Sequence, residues 1–166
     1  MVTTFELITS ILPLFNDVDK VFTKDQLFTL FCYMIITKEQ ESLIIENPNQ
    51  FISDEDEDFT DKDLKNWICE LKEELIDQRS LLGPVLEVKD MFLSNNNPLI
   101  NEVESEGLKN YFYMKCCEIG LYLFGDLIED ALKLNYIEDL KVDQTITDII
   151  IPALKEDKVT LSLQIR

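Results

Sequence analysis

The 166-residue sequence contains no histidine. Histidine is the commonest general base and metal ligand, and it changes charge most readily near neutral pH. The motifs G-x-S-x-G, GxxxxGK[ST], GxGxxG and HExxH are also absent. We therefore predict no catalytic residue, no bound metal and no cofactor, and we interpret the protein as not being an enzyme. An enzyme that relies on carboxylates alone would need a deep cleft holding two or more acids of raised pKa.

Basic side chains are scarce. The sequence has 15 Lys and Arg against 33 Asp and Glu, which gives a formal net charge of -18. Such a charge attracts cationic partners and repels nucleic acid and anionic membrane surfaces. Because there is no basic cluster either, we expect no nucleic-acid binding.

Long apolar runs are missing as well. None approaches the roughly 18 residues of a membrane-spanning helix, and the first ten residues lack the basic start of a signal peptide. The four cysteines form no CxxC pair, which favours reduced thiols packed in a core. We therefore expect an intracellular protein, cytoplasmic or nuclear or both, with no membrane span.

Glycine and alanine are rare, with four and two copies, and no stretch has the composition of a flexible linker. The apolar fraction of 46% and the aromatic fraction of 10% are those of a globular protein. These values predict a single domain covering residues 1–166, with two small domains as the alternative that the length allows.

Apolar residues recur at spacings of three and four along most of the chain, which predicts helices. Thr23 and Gln26 have the spacing of a capping box, and an amphipathic helix is expected at about 61–79. Asn97 and Pro98 are typical of a helix start. Residues 108–134 predict a long central helix or a pair of helices.

Two further local signals concern the second half of the chain. Gly120 and Gly125 lie inside the long apolar segment, where they either allow close contact between helices or mark a break. Thr145 and Asp148 have the spacing of a cap for a last short helix that ends at about Leu154.

The C-terminal residues change period. Apolar and polar residues alternate strictly over 158–166, which predicts a strand. A lone strand is unstable, so it pairs within the domain, joins the sheet of a partner, or belongs to a longer chain. The fold class predicted is mainly α: a single helical-bundle domain of six or seven helices with a small C-terminal β element.

The most acidic segment is a predicted loop at 46–60. It opens like a calcium-binding loop, but Phe59 stands where such loops have glycine and Lys65 where they have the closing glutamate. The run is either a solvated loop or a docking site for a basic partner, whose binding would weaken with salt. The candidate docking residues are Asp54, Glu55, Asp56, Glu57 and Asp58.

Aromatic residues on the long helix offer a second candidate surface. Tyr111 and Tyr113 either line a groove for a partner helix or belong to the core. On the C-terminal strand, the candidate residues for pairing with a partner are Val159, Leu161 and Leu163.

Taken together, these features predict a non-catalytic intracellular protein–protein interaction module, an adaptor or a subunit of a complex. Its partner would be another protein with a basic or helical binding segment. The alternative is an acidic chaperone or escort of a strongly basic client such as a histone or ribosomal protein, whose affinity would fall steeply with salt. A viral host-modulating helical bundle and a DNA mimic are less favoured.

Overall fold

The computed structural model describes residues 22–47, 49–50, 64–79 and 81–155, and most of these residues are helical. The first four helices are α1 (Lys24–Cys32), α2 (Lys38–Glu46), α3 (Leu64–Arg79) and α4 (Leu82–Leu93). They are followed by α5 (Pro98–Asn101), α6 (Glu106–Lys133), α7 (Val142–Thr145), a π-helix (Ile146–Ile150) and α8 (Ile151–Lys155).

The predicted mainly α fold is confirmed. No strand occurs within the described ranges, so the C-terminal β element has no support there, and the predicted strand at 158–166 lies outside them. Within the same ranges, none of the helices combines the length and the apolar character needed to traverse a bilayer.

The chain divides into two compact units. One comprises Met1–Met34 and Phe59–Val88, and the other Ile35–Asp58 and Lys89–Arg166. The predicted single bundle of six or seven helices therefore stays a prediction.

Local capping explains where α1 and α2 begin. The Thr23 hydroxyl accepts a hydrogen bond from the Gln26 N–H, and the Gln26 side chain accepts one from the Thr23 N–H. Thr37 and Gln40 form a second capping box of the same kind, which was not predicted from the sequence. Each box satisfies backbone donors that a helix N-terminus leaves without partners. The capping box predicted at Thr23 is confirmed.

In the first unit, each helix buries one apolar face. The amphipathic helix predicted at 61–79 is observed as α3, and its buried face carries the predicted spacing of three and four residues. An exposed ion pair joins α1 to α4, with 3.4 Å between Lys24 Nζ and Glu87 Oε2. The buried apolar residues of this unit include Leu27, Phe28 and Phe31 on α1, Ile68, Leu71, Leu75 and Ile76 on α3, and Val85, Leu86 and Val88 on α4.

In the second unit, α6 is one uninterrupted helix of 28 residues. A Cβ atom added at Gly120 would lie 2.6 Å from Leu93 Cδ2 and 3.3 Å from Phe92 Cβ, so the absence of a side chain permits this close approach. A Cβ added at Gly125 would meet nothing within 4 Å. Close contact between helices is therefore the role of Gly120, and neither glycine marks a break.

Replacing Gly120 with alanine should lower the free energy of unfolding by about 1–3 kcal/mol, because the new methyl group overpacks the contact with Leu93 and Phe92. Chemical denaturation monitored by circular dichroism measures this change. Gly125→Ala is the matched control on the same helix. It should raise the free energy of unfolding by about 0.5–1 kcal/mol, since it restores helix propensity at an open position. Equal effects from the two substitutions would contradict the assignment of Gly120 as the contact glycine.

Candidate functional site

A buried lysine lies beside a polar cavity in the second unit. The Lys89 side chain has 0% exposure, and its ammonium has three neighbours. Nζ donates a hydrogen bond of 2.9 Å to the Leu140 carbonyl and lies 2.7 Å from Asp90 Oδ1. It also lies 5.9 Å from the centroid of the Phe124 ring, within cation–π range. These contacts hold the segment before α7 against α4, although the two are about 50 residues apart in sequence.

Asp90 has a second cationic partner, Lys141, whose ammonium donates to Asp90 Oδ2. Lys141 adopts a left-handed conformation with φ 55° and ψ 48° and is the N-cap of α7. A residue other than glycine adopts this conformation at a cost of about 1–2 kcal/mol. We infer that the ion pair with Asp90 offsets part of this cost and fixes the point at which α7 begins.

The predicted cap at Thr145 and Asp148 is wrong. The last helical run begins at Val142, three residues earlier, and Thr145 is buried inside it. The next residues form a π-helix, in which the Ile151 N–H bonds to the Ile146 carbonyl. Pro152 accounts for this register, because proline has no N–H and its ring would crowd the Asp148 carbonyl four residues earlier. Short π-helices occur frequently at functional sites.

A cavity of about 350 Å³ lies where α4, α6 and the α7–π-helix run meet. Its size is at the lower end of the range for small-ligand sites. Its polar lining residues are Asp90, Ser94, Asn95, Tyr113, Lys141, Gln144, Thr145 and Asp148. Its apolar lining residues are Leu93 and Ile149.

The cavity has a distinct electrostatic character near Tyr113. Burial, together with the neighbouring Cys117 and the carboxylate of Asp148, raises the pKa of Tyr113. Within the described residues, no lysine or arginine forms an ion pair with Asp148. Asp90, in contrast, is paired with two lysines. Of the two carboxylates that line the cavity, Asp148 is therefore the one with no lysine or arginine counterion among the described residues.

A second buried lysine connects α2 to α6. The Lys115 ammonium forms ion pairs with Glu41 and, at 3.1 Å, with Glu118 Oε2. Burial opposes the charged form, but the hydrogen bonds and charges of Glu41 and Glu118 outweigh it and raise the pKa of Lys115. This cluster is a structural link, since both carboxylates are already occupied by the lysine.

The structure places the predicted site residues apart. Tyr111 is exposed and lies 5.8 Å from the Lys115 ammonium, whereas Tyr113 is half-buried and lines the cavity. Residues two apart on a helix do not share a face, so the two tyrosines do not form one groove. The remaining candidates lie outside the described residues: Asp54, Glu55, Asp56, Glu57, Asp58, Val159, Leu161 and Leu163.

The residues that build the cavity were not predicted, although two signals for them are present in the sequence. Lys89 falls at the helical spacing of the buried positions Val85 and Phe92, where a lysine requires a counterion. Pro152 follows Asp148 by four residues inside a helical pattern, which indicates a local change of helix register.

The cysteines of the described residues form no disulfide. Two of the thiols, Cys116 and Cys117, are buried. Burial raises the pKa of Cys116 to about 11, which keeps this thiol protonated and unreactive. No group of three or more acidic or cysteine residues suited to a metal ion occurs in the part of the chain that the structure describes.

Comparisons with protein-family models, curated proteins and solved structures found no match to this chain.

Replacing Asp90 with asparagine should lower the free energy of unfolding by about 2–4 kcal/mol, because it leaves the buried Lys89 ammonium without its counterion. The partial exposure of Asp90 places this value below that of a fully buried pair. Glu87→Gln on the same helix removes one partner of an exposed pair and should change stability by less than about 0.5 kcal/mol. Urea denaturation of both variants provides the comparison, and a loss for Asp90→Asn no larger than the control would refute the role of the lysine–carboxylate cluster.

The same variant has a predicted pH dependence. Burial lowers the pKa of Lys89, whereas Asp90 raises it, so Asp90→Asn should lower this pKa further. A lysine that binds its proton less tightly when folded makes the protein more stable as pH rises towards its ordinary value of 10.5. The destabilisation by Asp90→Asn should therefore shrink between about pH 7 and about pH 10. A stability difference that is constant or grows over this range would contradict the prediction.

Proposed function

We propose that the protein is a non-catalytic intracellular protein–protein interaction module, an adaptor or a subunit of a complex. Its partner is a helical segment that carries apolar residues together with lysines or arginines. One observation carries the proposal: large apolar side chains are exposed at the C-terminal end of α6, among carboxylates. We call residues 128–136 the apolar segment.

The apolar segment exposes four large side chains within nine residues: Ile128, Leu132, Leu134 and Tyr136. A single exposed leucine carries little information, but several together are typical of an interaction site. Ile128 and Leu132 are four residues apart and share one face of α6. The open position at Gly125 lies on the same face and allows a partner backbone to approach closely.

The surroundings of the apolar segment are acidic. Residues 126–139 contain five carboxylates and one lysine, and this lysine, Lys133, is paired with Glu129 at 3.0 Å. The carboxylates are Asp126, Glu129, Asp130, Glu138 and Asp139. A partner that buries apolar area here gains most if it also carries positive charge.

Charge also selects among partners. A second copy of this chain would bring together two surfaces from molecules of net charge -18, and like charges across an interface are costly. A basic amphipathic helix meets both requirements, because helices commonly present apolar side chains at i, i+3, i+4 and i+7 to such surfaces. The acidic run at 54–58 would supply further long-range attraction in this proposal.

The escort of a strongly basic client is the second candidate, and the overall charge favours it. Raising the ionic strength from about 0.1 M to about 1 M shortens the screening length from about 10 Å to about 3 Å. An escort that binds through charge should lose most of its affinity over this range. A module that buries Leu132 and Ile128 should retain most of its affinity, since apolar contacts are not screened.

Selection of helical peptides from a displayed library tests the proposal. Selected peptides should be enriched in apolar residues at helical spacing flanked by lysine or arginine. Leu132→Ser should weaken their binding at least about tenfold, which is the loss of one well-packed anchor. Leu108→Ser is the matched control, since Leu132 and Leu108 lie on the same helix with 58% and 53% exposure. Fluorescence anisotropy with a labelled selected peptide gives the affinities.

Two outcomes would overturn the proposal. One is the failure of wild-type protein to enrich any such peptide. The other is an equal loss of affinity for Leu132→Ser and Leu108→Ser. Thermal unfolding of both variants checks that neither exposed substitution has altered the fold.

A further inference from the structure

We propose that the cavity lined by Tyr113 and Asp148 binds the protonated head group of a basic side chain, lysine or arginine, carried by the partner. This assignment deepens the proposed function, because it gives the basic residues of the partner a defined place in the second unit. It rests on four observations: the charge of the cavity walls, the pairing of its acids, the position of Tyr113, and the π-helix.

The charge of the walls favours a cation. Two carboxylates, Asp90 and Asp148, line the cavity against one ammonium, that of Lys141. Lys89 does not line the cavity, and its ammonium is already engaged by Asp90 and the Leu140 carbonyl. The potential of a molecule with net charge -18 adds to this preference, since clefts of one charge sign concentrate oppositely charged ligands.

The two acids differ in what they can still bind. Asp90 holds Lys89 with one oxygen and Lys141 with the other, so it is neutralised within the protein. Asp148 forms no ion pair within the described residues. The strongest attachment point for an incoming ammonium or guanidinium is therefore the Asp148 carboxylate, which provides charge-assisted hydrogen bonds.

The other walls suit the remainder of a basic side chain. Leu93 and Ile149 provide apolar surface for the aliphatic stem. Tyr113 provides an aromatic ring that attracts a cation, and the side-chain oxygens of Asn95 and Gln144 can accept hydrogen bonds from its N–H groups. A volume of about 350 Å³ suits one side chain and not a cofactor of nucleotide size.

The π-helix brings the required groups to one wall. It carries both Asp148 and Ile149, which lie side by side in the sequence and both line the cavity. Pro152 enforces this register through its missing N–H. The geometry that presents the carboxylate next to apolar surface is thus fixed by the chain and does not require a ligand to form.

Titration with single amino-acid derivatives tests the assignment without any partner. The probes are N-acetyl-lysine methylamide, N-acetyl-arginine methylamide and, as the uncharged match, N-acetyl-norleucine methylamide. Amide chemical shifts of residues 93–95, 113 and 144–149 should change in a saturable way with at least one of the two charged probes. Norleucine should bind at least about fivefold more weakly, a discrimination of the size expected for one charge-assisted contact.

Asp148→Asn should weaken the binding of the charged probe at least about fivefold, because it removes the same charge-assisted contact. Asp143→Asn removes an acid on the same helical run that is exposed like Asp148 but does not line the cavity, and it should change the affinity less than about twofold. Absence of saturable shifts with both charged probes, equal binding of norleucine, or unchanged binding to Asp148→Asn would overturn the assignment. The comparison with the norleucine derivative uses wild-type protein, so its result does not depend on whether either variant folds.

The outcome separates this inference from the proposed function. If the cavity binds the charged probe and the peptide library yields nothing, the cavity assignment stands and the proposed partner is refuted. If selected peptides bind through Leu132 and the cavity ignores both charged probes, the interaction module stands and the cavity assignment fails.

Discussion

Burial of the Lys89 ammonium is the constraint on which the second unit depends. An ammonium group taken out of water costs several kcal/mol unless a counterion and hydrogen-bond acceptors replace the water. Asp90 and the Leu140 carbonyl provide both. Because Asp90 is the neighbouring residue and Leu140 is distant in the sequence, satisfying this one charge positions the turn that follows α6 and, through Lys141, the start of α7. The start of α7 in turn fixes the positions of Gln144, Thr145 and Asp148, which line the cavity.

The same principle operates at Lys115, where two glutamates satisfy a second buried ammonium and connect α2 to α6. The two lysines differ in the direction of their pKa. Lys115 has two carboxylate partners and its pKa is raised, whereas Lys89 shares Asp90 with Lys141 and its pKa is lowered by burial. The shared carboxylate makes the Lys89 cluster the more sensitive of the two to loss of one partner, and it is the cluster that adjoins the cavity.

Features that depend on residues close together in the sequence could be predicted, whereas features that depend on contacts between distant residues could not. The caps of α1 and α5 depend on residues three apart, so Thr23 and Asn97 were correctly predicted as helix starts. The cap at Thr145 was wrongly predicted because the start of α7 is set by the contact of Lys141 with Asp90, 51 residues away. Gly120 and Gly125 look alike in the sequence, and only the packing of Leu93 and Phe92 distinguishes them. The cavity was missed for the same reason, since its walls come from three separate segments.

Several lysines of the described residues are paired with acidic residues of the same protein. In the described ranges, lysines pair with carboxylates at exposed positions such as Lys24, Lys109 and Lys133 and at the buried Lys89 and Lys115. Each pair neutralises one positive and one negative charge, so the excess of acidic residues remains. This excess lies on the carboxylates that are not paired with a lysine. Among the described residues, Asp148 forms no ion pair, and it lies beside the Tyr113 ring and the apolar surface of Leu93 and Ile149. In the proposed complex, a partner that carries basic residues would pair with Asp148 and bury Ile128 and Leu132.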